Sequence, residues 1–292
     1  AFLDGDDYWT SPDKLQRQVA FLDEHPECAA CFHNVRVVYE DDIRAPHSSN
    51  PPDQKAFSTV ADLLRGNFIE TCSTMVRREP FRELPDWLYT IEPQDWAIYV
   101  LAASHGTIGY INEVMGVYRR HKTAIWYGHS SDFYLENAIA FYEAVAGHLG
   151  SQYDAIVKEQ RSRRCYDLSR VREQEGNWHA AGVLLSKSMG DHPRWMEGDL
   201  PGVGVRGPAV WRLLERKVRL YRWPSGSTLM RLSQQWHDVV GPALAKLGRR
   251  IPGRSRGSMV ANPNPVYAGT SPGHGRTTLA DVAAAAGVTR AP

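Results

Sequence analysis

The sequence has few cysteines, no long apolar run and almost no net charge. Four cysteines in 292 residues exclude a small disulfide-stapled scaffold and indicate reduced thiols. No apolar stretch reaches the roughly 18–20 residues that a membrane-spanning helix needs. No basic segment followed by an apolar one marks a secretory signal. These absences predict a cytoplasmic protein, or one held peripherally at the inner face of the membrane.

The net charge of +1 conceals an uneven distribution of charge along the chain. Residues 1–150 carry 12 Lys and Arg against 22 Asp and Glu, a balance of −10. Residues 151–250 carry 18 against 10, or +8, and residues 251–292 carry 4 against 1, or +3. An acidic part followed by a basic part predicts two modules with different partners, a cation for the first and an anionic surface for the second.

Hydrophobic periodicity predicts an α/β arrangement at the start of the chain. Ala1–Leu3 has the composition of the end of a buried strand, and Leu15, Val19 and Leu22 recur at helical spacing after the cap candidates Thr10 and Ser11. Further helices are predicted over residues 59–65 and 95–105, and strands over 28–39, 71–76, 107–111 and 114–118.

The pattern changes after about residue 130. It becomes helical over 132–250, and beyond residue 251 Gly, Pro, Ser and Arg dominate, which predicts disorder. The predicted organisation is therefore an α/β domain over 1–125, a mainly α-helical module over 132–250 and a disordered tail over 251–292.

Three carboxylates, Asp4, Asp6 and Asp7, lie within four residues. Directly after a buried strand, such a cluster is electrostatically costly unless a positive charge lies among its members. Carboxylate oxygens suit Mg²⁺ or Mn²⁺, which typically also bind substrate phosphates. A solvated turn with Asp as the turn former is the alternative.

The segment around these carboxylates, FLDGDDYWTSPDKL over residues 2–15, closely resembles the DXD region of family-2 glycosyltransferases with the GT-A fold. Other segments match in the family's order. Residues 65–69 and 73–78 resemble the loop and strand on the acceptor side, and residues 92–96 (EPQDW) resemble the segment that carries the catalytic base. Residues 106–121 resemble the closing strands and their terminal Tyr-Arg-x-His. Because the matches occur in order at family-like intervals, together they are a specific signal.

The resemblance implies a Rossmann-like GT-A domain over residues 1 to about 125. In the family, the βαβ units that bind the nucleotide precede the DXD segment. The chain therefore corresponds to the C-terminal portion of such a domain, and we expect it to be inactive without the preceding portion.

The resemblance also implies roles for individual residues. Asp4 and Asp6 form the DXD pair that binds the nucleotide-sugar and its cation, and Asp95 is the general base. The implied metal ligands are Asp6, Asp7 and His121, and the implied acceptor-side residues are Gly66, Asn67 and Trp96. Gln94 stands where many members have Glu, and Glu92 is the nearby candidate for its orienting role.

Two of these residues have simpler interpretations when the family is set aside. Asp95 is then the N-cap of a helix or lies near it. His121 is then a surface histidine in an arginine-rich segment.

The implied reaction transfers a sugar from a nucleotide-sugar donor to a hydroxyl of a saccharide or lipid-linked acceptor. Mg²⁺ or Mn²⁺ neutralises the diphosphate leaving group, and a single displacement inverts the anomeric configuration. The alternative is a non-catalytic protein whose basic helical half binds a partner or a membrane surface. Nucleic acid is not an expected partner in either case.

Residues 209–223 form a predicted basic amphipathic helix, which suits an anionic membrane surface. Packing of this helix on the acidic module is the alternative interpretation. Three short motifs do not predict sites. Cys28 and Cys31 are interpreted as buried strand cysteines and not as a redox or zinc half-site. GxGxxG over 202–207 is not interpreted as a dinucleotide site because no strand precedes it, and GxSxG over 269–273 is not interpreted as a nucleophile elbow because it falls in the predicted tail.

Overall fold

The structure is a computed structural model. The structure describes residues 1–41, 44–124, 126–191, 208–221 and 289–290. It divides into two compact units. The first comprises Ala1–His129 and Glu143–Ile156 with the described part of Tyr267–Pro292, and the second comprises Ser130–Tyr142 and the described part of Val157–Val266. The domain limits inferred from the sequence stay a prediction.

The described residues form a mixed α/β structure, as the sequence predicts. The strands are β1 (Tyr8–Trp9), β2 (Cys28–Tyr39), β3 (His47–Ser48), β4 (Phe57–Ser58), β5 (Met75–Val76), β6 (Glu83–Leu84), β7 (Thr107–Arg120) and β8 (Thr289–Arg290). The helices are α1 (Lys14–Glu24), α2 (Val60–Arg65), α3 (Gln94–Ala103), α4 (Ser131–Ala146), α5 (Asp154–Gln174), α6 (Trp178–Asp191) and α7 (Pro208–Tyr221). Short 3₁₀ helices span Thr71–Ser73, Glu79–Phe81, Asp86–Thr90 and Ser151–Tyr153.

A parallel pair, β2 and β7, forms the centre of the main sheet. Short antiparallel strands line its outer edges: β1 and β4 pair with β7, and β3 and β5 pair with β2. Most of β2 is buried, because a central parallel strand is covered on both faces and therefore needs a nearly continuous apolar sequence. The mixed sheet places the carboxyl ends of β2 and β7 side by side.

The two closing strands predicted over 107–111 and 114–118 are one continuous strand, β7. Ile111 pairs with His33 and Val114 pairs with the next residue, Asn34, so Asn112 and Glu113 form a bulge between them. A bulge interrupts pairing without ending the strand. The polar pair therefore has the composition of a turn although the strand continues through it.

Helix α1 buries a different face from the predicted one. The side chains of Leu15 and Val19 are 42% and 44% exposed, whereas Lys14, Gln18 and Leu22 are buried. Of the three apolar positions that predict the core face, Leu22 alone lies in the core. The prediction for Leu15 and Val19 is therefore wrong.

Polar contacts beneath α1 explain this inversion. The amide of Gln18 donates to the backbone carbonyl of Ser73 at 2.8 Å. The ammonium group of Lys14 lies 3.9 Å from the centroid of the Trp9 ring. A buried polar side chain is tolerated where it finds such partners, so the tertiary surroundings decide which face is covered.

Two further strand predictions differ from the structure. Residues 71–76 begin as a 3₁₀ helix and are extended as a strand at Met75–Val76 alone, because the N–H and hydroxyl of Ser73 both donate to the carbonyl of Glu70 and turn the chain. Ala1–Leu3 lies outside the strands, and Leu3 is 46% exposed.

In the second unit, α5 and α6 are consecutive helices with a short turn between them. Gly176 between them has φ +76°, a left-handed conformation that glycine adopts without strain. The predicted basic helix is α7, and it packs on the other helices of this unit. The ring of Tyr221 lies 5.6 Å from that of Trp178, and Lys217 pairs with buried Glu173 at 2.7 Å. These contacts bury Tyr221 of α7 within the second unit.

Several sequence-based predictions fall on residues outside the described part of the chain. They concern a helix over 227–247, the motifs over 202–207 and 269–273, and the tail from 251 except for β8. Within the described residues, no helix combines the length and the apolar composition that crossing a membrane requires.

Candidate active site

The predicted site residues of the first unit gather where β2 and β7 end. Asp4–Asp7, which we call the carboxylate turn, is closed by a bond from the Asp7 N–H to the Asp4 carbonyl at 3.2 Å. It leads directly into β1, and Tyr8 of β1 pairs with Val117 of β7. The carboxylate turn therefore lies beside the carboxyl end of β7, the position at which open parallel sheets commonly bind ligands.

Asp6 and His121 are in direct contact. Nε2 of His121 lies 2.9 Å from Oδ2 of Asp6, and Nδ1 of the same ring lies 2.8 Å from the hydroxyl of Thr123. The side chains of His121 and Asp6 are 15% and 38% exposed, so the pair is accessible from solvent. One carboxylate and one imidazole thus face each other at the edge of the sheet.

Arg119 bonds to the carboxylate turn in two ways. Its backbone N–H donates to Oδ1 of Asp7 at 2.8 Å, and its Nη1 donates to the backbone carbonyl of Asp6 at 3.0 Å. Its Nη2 forms an ion pair with Glu40, the residue that follows β2. One arginine therefore connects the turn to both central strands.

Asp7 is the most buried carboxylate of the turn, with 8% exposure. Burial raises the pKa of Asp7 to about 6, against the opposing effect of the Arg119 N–H, and the charges of Asp6 and Asp4 raise it further. The thiol of buried Cys72 also lies against this carboxyl group. Since one oxygen of Asp7 already accepts the β7 backbone N–H, Asp7 anchors the turn to the sheet.

Asp4 interacts with Asp6, with the side chain of Thr71 and with Asp95 of α3. Burial raises the pKa of Asp4, and the charge of Asp6 raises it as well, while a hydrogen bond from the Thr71 side chain acts in the opposite direction. The turn therefore carries two carboxyl groups that are destabilised in their charged form, which favours a cation nearby.

Asp95 is the second residue of α3 and not its N-cap. The N-cap position is occupied by Pro93, and no side chain caps the helix there. Burial raises the pKa of Asp95 to about 6, and the charges of Glu70 and Asp4 also raise it. A long hydrogen bond of 3.4 Å from the Asn67 amide to Oδ2 of Asp95 works against this rise. Asp95 is thus a carboxylate of raised basicity close to Asp4.

The predicted acceptor-side residues lie between α2 and α3. Gly66 is the C-cap of α2, with open space where a Cβ would be. Asn67 follows it and contacts Asp95 as described. Trp96 is 8% exposed, and its indole N–H donates to the carbonyl of Leu63 at 2.8 Å. Trp96 therefore holds α3 against α2, whereas Gly66 and Asn67 border the site.

Three residues join this site without having been singled out from the sequence. Glu70 influences the pKa of Asp95 and accepts a hydrogen bond from Ser49 at 2.8 Å. Tyr99 lies one helical turn after Asp95, and burial followed by the charge of Asp95 raises its pKa. Burial raises the pKa of Tyr118, and the charges of Glu70, Asp7 and Asp95 raise it further. No local pattern marks Glu70, whereas the i, i+4 spacing of Asp95 and Tyr99 could have indicated a shared helix face.

A divalent cation needs several oxygen or nitrogen ligands close together. Within the described residues, no group of three or more His, Cys, Asp and Glu side chains is arranged to hold a metal ion. Asp6 and His121 nevertheless offer an oxygen and a nitrogen side by side. Mg²⁺ and Mn²⁺ sites commonly combine one or two protein ligands with waters and substrate phosphates. The pair suits a cation whose remaining ligands are waters and substrate phosphates.

The chain is similar to uncharacterized proteins of two mycobacteria. No protein-family model matches it. The uncharacterized protein Rv1520 of Mycobacterium tuberculosis is 34% identical over 272 residues, which cover 88% of this chain and 70% of the relative. The uncharacterized protein Mb1547 of Mycobacterium bovis matches with the same identity and coverage. The chain belongs to the family of these proteins. The names of these relatives state no function, so membership assigns no activity.

Proposed function

We propose that this chain is the catalytic portion of an inverting glycosyltransferase of the GT-A fold, which transfers a sugar from a nucleotide-sugar donor to an acceptor hydroxyl. The observation that carries the proposal is the convergence of two chemically distinct groups at one end of the sheet. The Asp6–His121 pair offers cation ligands, and Asp95, close to Asp4, offers a carboxylate of raised pKa. Leaving-group stabilisation and proton removal are the two tasks that such a transfer requires.

Asp6 and His121 would hold a divalent cation against the diphosphate of the donor, and Asp7 would support the turn from the sheet. A bound Mg²⁺ or Mn²⁺ neutralises the charge that develops on the departing diphosphate. Asp4 lies near both Asp6 and Asp95. It would contact the donor between the cation and the general base. The hydrogen bonds of Arg119 keep the turn in place.

Asp95 would accept the proton of the acceptor hydroxyl. With a pKa of about 6, it is mainly ionised at neutral pH and yet more basic than an ordinary aspartate, which suits a general base. The hydroxyl oxygen then bonds to the anomeric carbon as the bond to the diphosphate breaks on the opposite face. Gly66 and Asn67 border the space in which a saccharide or lipid-linked acceptor would lie.

A lipid-linked acceptor would bring the protein to the inner face of the membrane. Because α7 buries Leu214 and Tyr221, its contribution to such contact would be electrostatic, through exposed Arg216 and Arg219. The same residues would serve the non-catalytic alternative, in which the helical half binds an anionic surface and the first unit performs no chemistry.

Turnover measurements with Asp95→Asn test the proposal. We would incubate a full-length protein that contains this chain with Mn²⁺ and a panel of nucleotide-sugars and acceptors, and follow release of the nucleoside diphosphate. Asp95→Asn should lower turnover by about 10²–10⁴-fold with little change in donor affinity. Glu92→Gln, in the preceding turn, is the matched control and should cost much less. Equal turnover in the wild type and in Asp95→Asn would remove the general-base role.

A further inference from the structure

We propose that Arg119 is a positioning residue that presents the carboxylate of Asp6 to a divalent cation. The proposal rests on the proposed function in one respect, namely that Asp6 and His121 are the cation ligands. It assigns to Arg119 a role in the geometry of the site, acting through the carboxylate turn.

Arg119 contacts three residues in two other segments of the chain, the carboxylate turn and the end of β2. The backbone N–H holds the side chain of Asp7 at 2.8 Å, and Nη1 holds the backbone carbonyl of Asp6 at 3.0 Å. Nη2 is held by Glu40. The turn that carries Asp6 is therefore fixed both at the carbonyl of Asp6 and at the next side chain.

His121 follows Arg119 by two residues at the end of β7. Since the side chain of Arg119 fixes Asp6 and its main chain leads directly to His121, it determines the relative position of the two candidate ligands. The β1–β7 pairing brings the two residues together across 115 positions of sequence, and the bonds of Arg119 hold the turn at their 2.9 Å separation. Groups that orient ligands from outside the ligand set commonly change metal affinity by about 10–100-fold when they are removed.

The guanidinium group suits this task better than an ammonium group. Its planar, fork-shaped donors can bond a carbonyl and a carboxylate simultaneously in fixed directions, whereas a lysine ammonium acts as a point charge on a flexible stem. Glu40 holds the outer arm of the fork, so that the inner arm stays directed at the Asp6 carbonyl. Both the shape and the ion pair therefore contribute to the position of the turn.

Titration with MnCl₂, first alone and then with a nucleoside diphosphate present, tests the proposal, with Mn²⁺ followed by electron paramagnetic resonance and nucleoside diphosphate binding by calorimetry. The test variants are Arg119→Met and Arg119→Lys, and Glu40→Gln removes the outer partner. Arg17→Met is the matched control, because Arg17 also forms a half-exposed ion pair with a glutamate, Glu113, on another surface. Asp6→Asn defines the loss that follows from removing a ligand.

We expect Arg119→Met to weaken Mn²⁺ binding by about 10–100-fold, Arg119→Lys to recover part of that loss, and Glu40→Gln to cause a smaller loss. Arg17→Met should bind as the wild type does. Thermal unfolding of each variant, and the Arg119→Lys comparison, separate a local effect from loss of the fold.

Three results would overturn the proposal. If Asp6→Asn loses Mn²⁺ and Arg119→Met retains it, Arg119 does not position the ligands, and the cation site of the proposed function stands. If the wild type binds no Mn²⁺ either alone or with the nucleoside diphosphate present, both the cation site and the role of Arg119 are rejected, and the turnover of Asp95→Asn decides the catalytic proposal separately. A loss of nucleoside diphosphate binding with unchanged Mn²⁺ binding would instead make Arg119 a direct phosphate contact.

Discussion

Nε2 of His121 lies 2.9 Å from Oδ2 of Asp6, although 115 positions separate the two residues. The contact exists because β1 follows the carboxylate turn and pairs with β7, whose end leads to His121. A short strand pairing thus brings an oxygen ligand and a nitrogen ligand together at one edge of the sheet.

The Asp6–His121 pair predicts a cation dependence that can be measured as binding. Asp6→Asn and His121→Ala should each weaken Mn²⁺-dependent binding of a nucleoside diphosphate by at least about tenfold, because each removes one of two protein ligands. EDTA should have the same effect on the wild type. Calorimetry with and without Mn²⁺ provides the measurement. The exposed Asp53→Asn is the control, and equal metal-independent binding in all variants would contradict the prediction.

The raised pKa of Asp95 predicts a pH dependence of turnover. A general base must be ionised, so turnover should fall as the pH drops below about 6, the pKa of this group. The initial rate between about pH 5 and pH 8 provides the measurement, with donor binding followed in parallel. An unchanged rate well below pH 6 would show that a different group removes the proton.

The raised pKa of Asp95 also makes the stability of the folded protein depend on pH. A carboxyl group whose pKa is raised by folding stabilises the folded state below its ordinary pKa, and this contribution is lost as the pH rises through the folded value. Asp95→Asn should therefore gain stability relative to the wild type between about pH 4 and pH 7. Urea unfolding across this range tests the sign, and Asp53→Asn should follow the wild type.

Buried Lys14 predicts a substitution that stabilises the protein. Its side chain is 1% exposed and its Nζ lacks a hydrogen-bond partner, and burial lowers the pKa of Lys14 to about 8. Lys14→Met removes the cost of burying a charge, whereas the loss of the contact with the Trp9 ring acts against it. We expect a net gain of about 1–2 kcal/mol in the free energy of unfolding at neutral pH.

The gain from Lys14→Met should itself depend on pH. A lysine whose pKa is lowered by folding contributes stability at high pH, and that contribution disappears as the pH falls through the folded value. The advantage of the variant should therefore shrink from about pH 8 to about pH 10. Urea unfolding provides the measurement and exposed Lys122→Met the control. A variant that is less stable at every pH would show that Lys14 contributes more than its burial costs.

Two glycines predict opposite responses to the same substitution. A Cβ at Gly106 would lie 2.5 Å from the backbone oxygen of Glu27 and 3.0 Å from the backbone nitrogen of Ala29, and neither atom can move away easily. A Cβ at Gly66 would meet nothing within 4 Å. Gly106→Ala should therefore cost about 1–3 kcal/mol, whereas Gly66→Ala should change stability by less than about 0.5 kcal/mol. Thermal and urea unfolding of the two variants measure these stability changes. Equal losses of stability in both variants would contradict the prediction.

The sequence alone predicted those elements whose causes lie within a few neighbouring residues. The limits of β2 agree with the predicted 28–39, because a nearly continuous run of apolar and β-favouring residues is itself the signal of a central strand. Helix α2 begins after Thr59, whose N–H and hydroxyl both donate to Asp62, and it ends at Gly66. Capping residues and hydrophobic periodicity act over one or two helical turns, so they can be recognised from the sequence alone.

The tertiary structure decided what depends on residues distant in sequence. The face that α1 buries was set by the partners available to Gln18 and Lys14, and the apolar pattern of the helix alone indicated otherwise. The continuity of β7 through its bulge was set by the register with β2.

The candidate site shows the same division. The carboxylates, Asp95 and His121 could be named from their local segments, because each motif is contiguous. Their arrangement, the connection through Arg119 and the participation of Glu70 could not, because no local pattern specifies which chain ends a sheet brings together. Strand pairing and packing fix those distances only after the whole unit has folded.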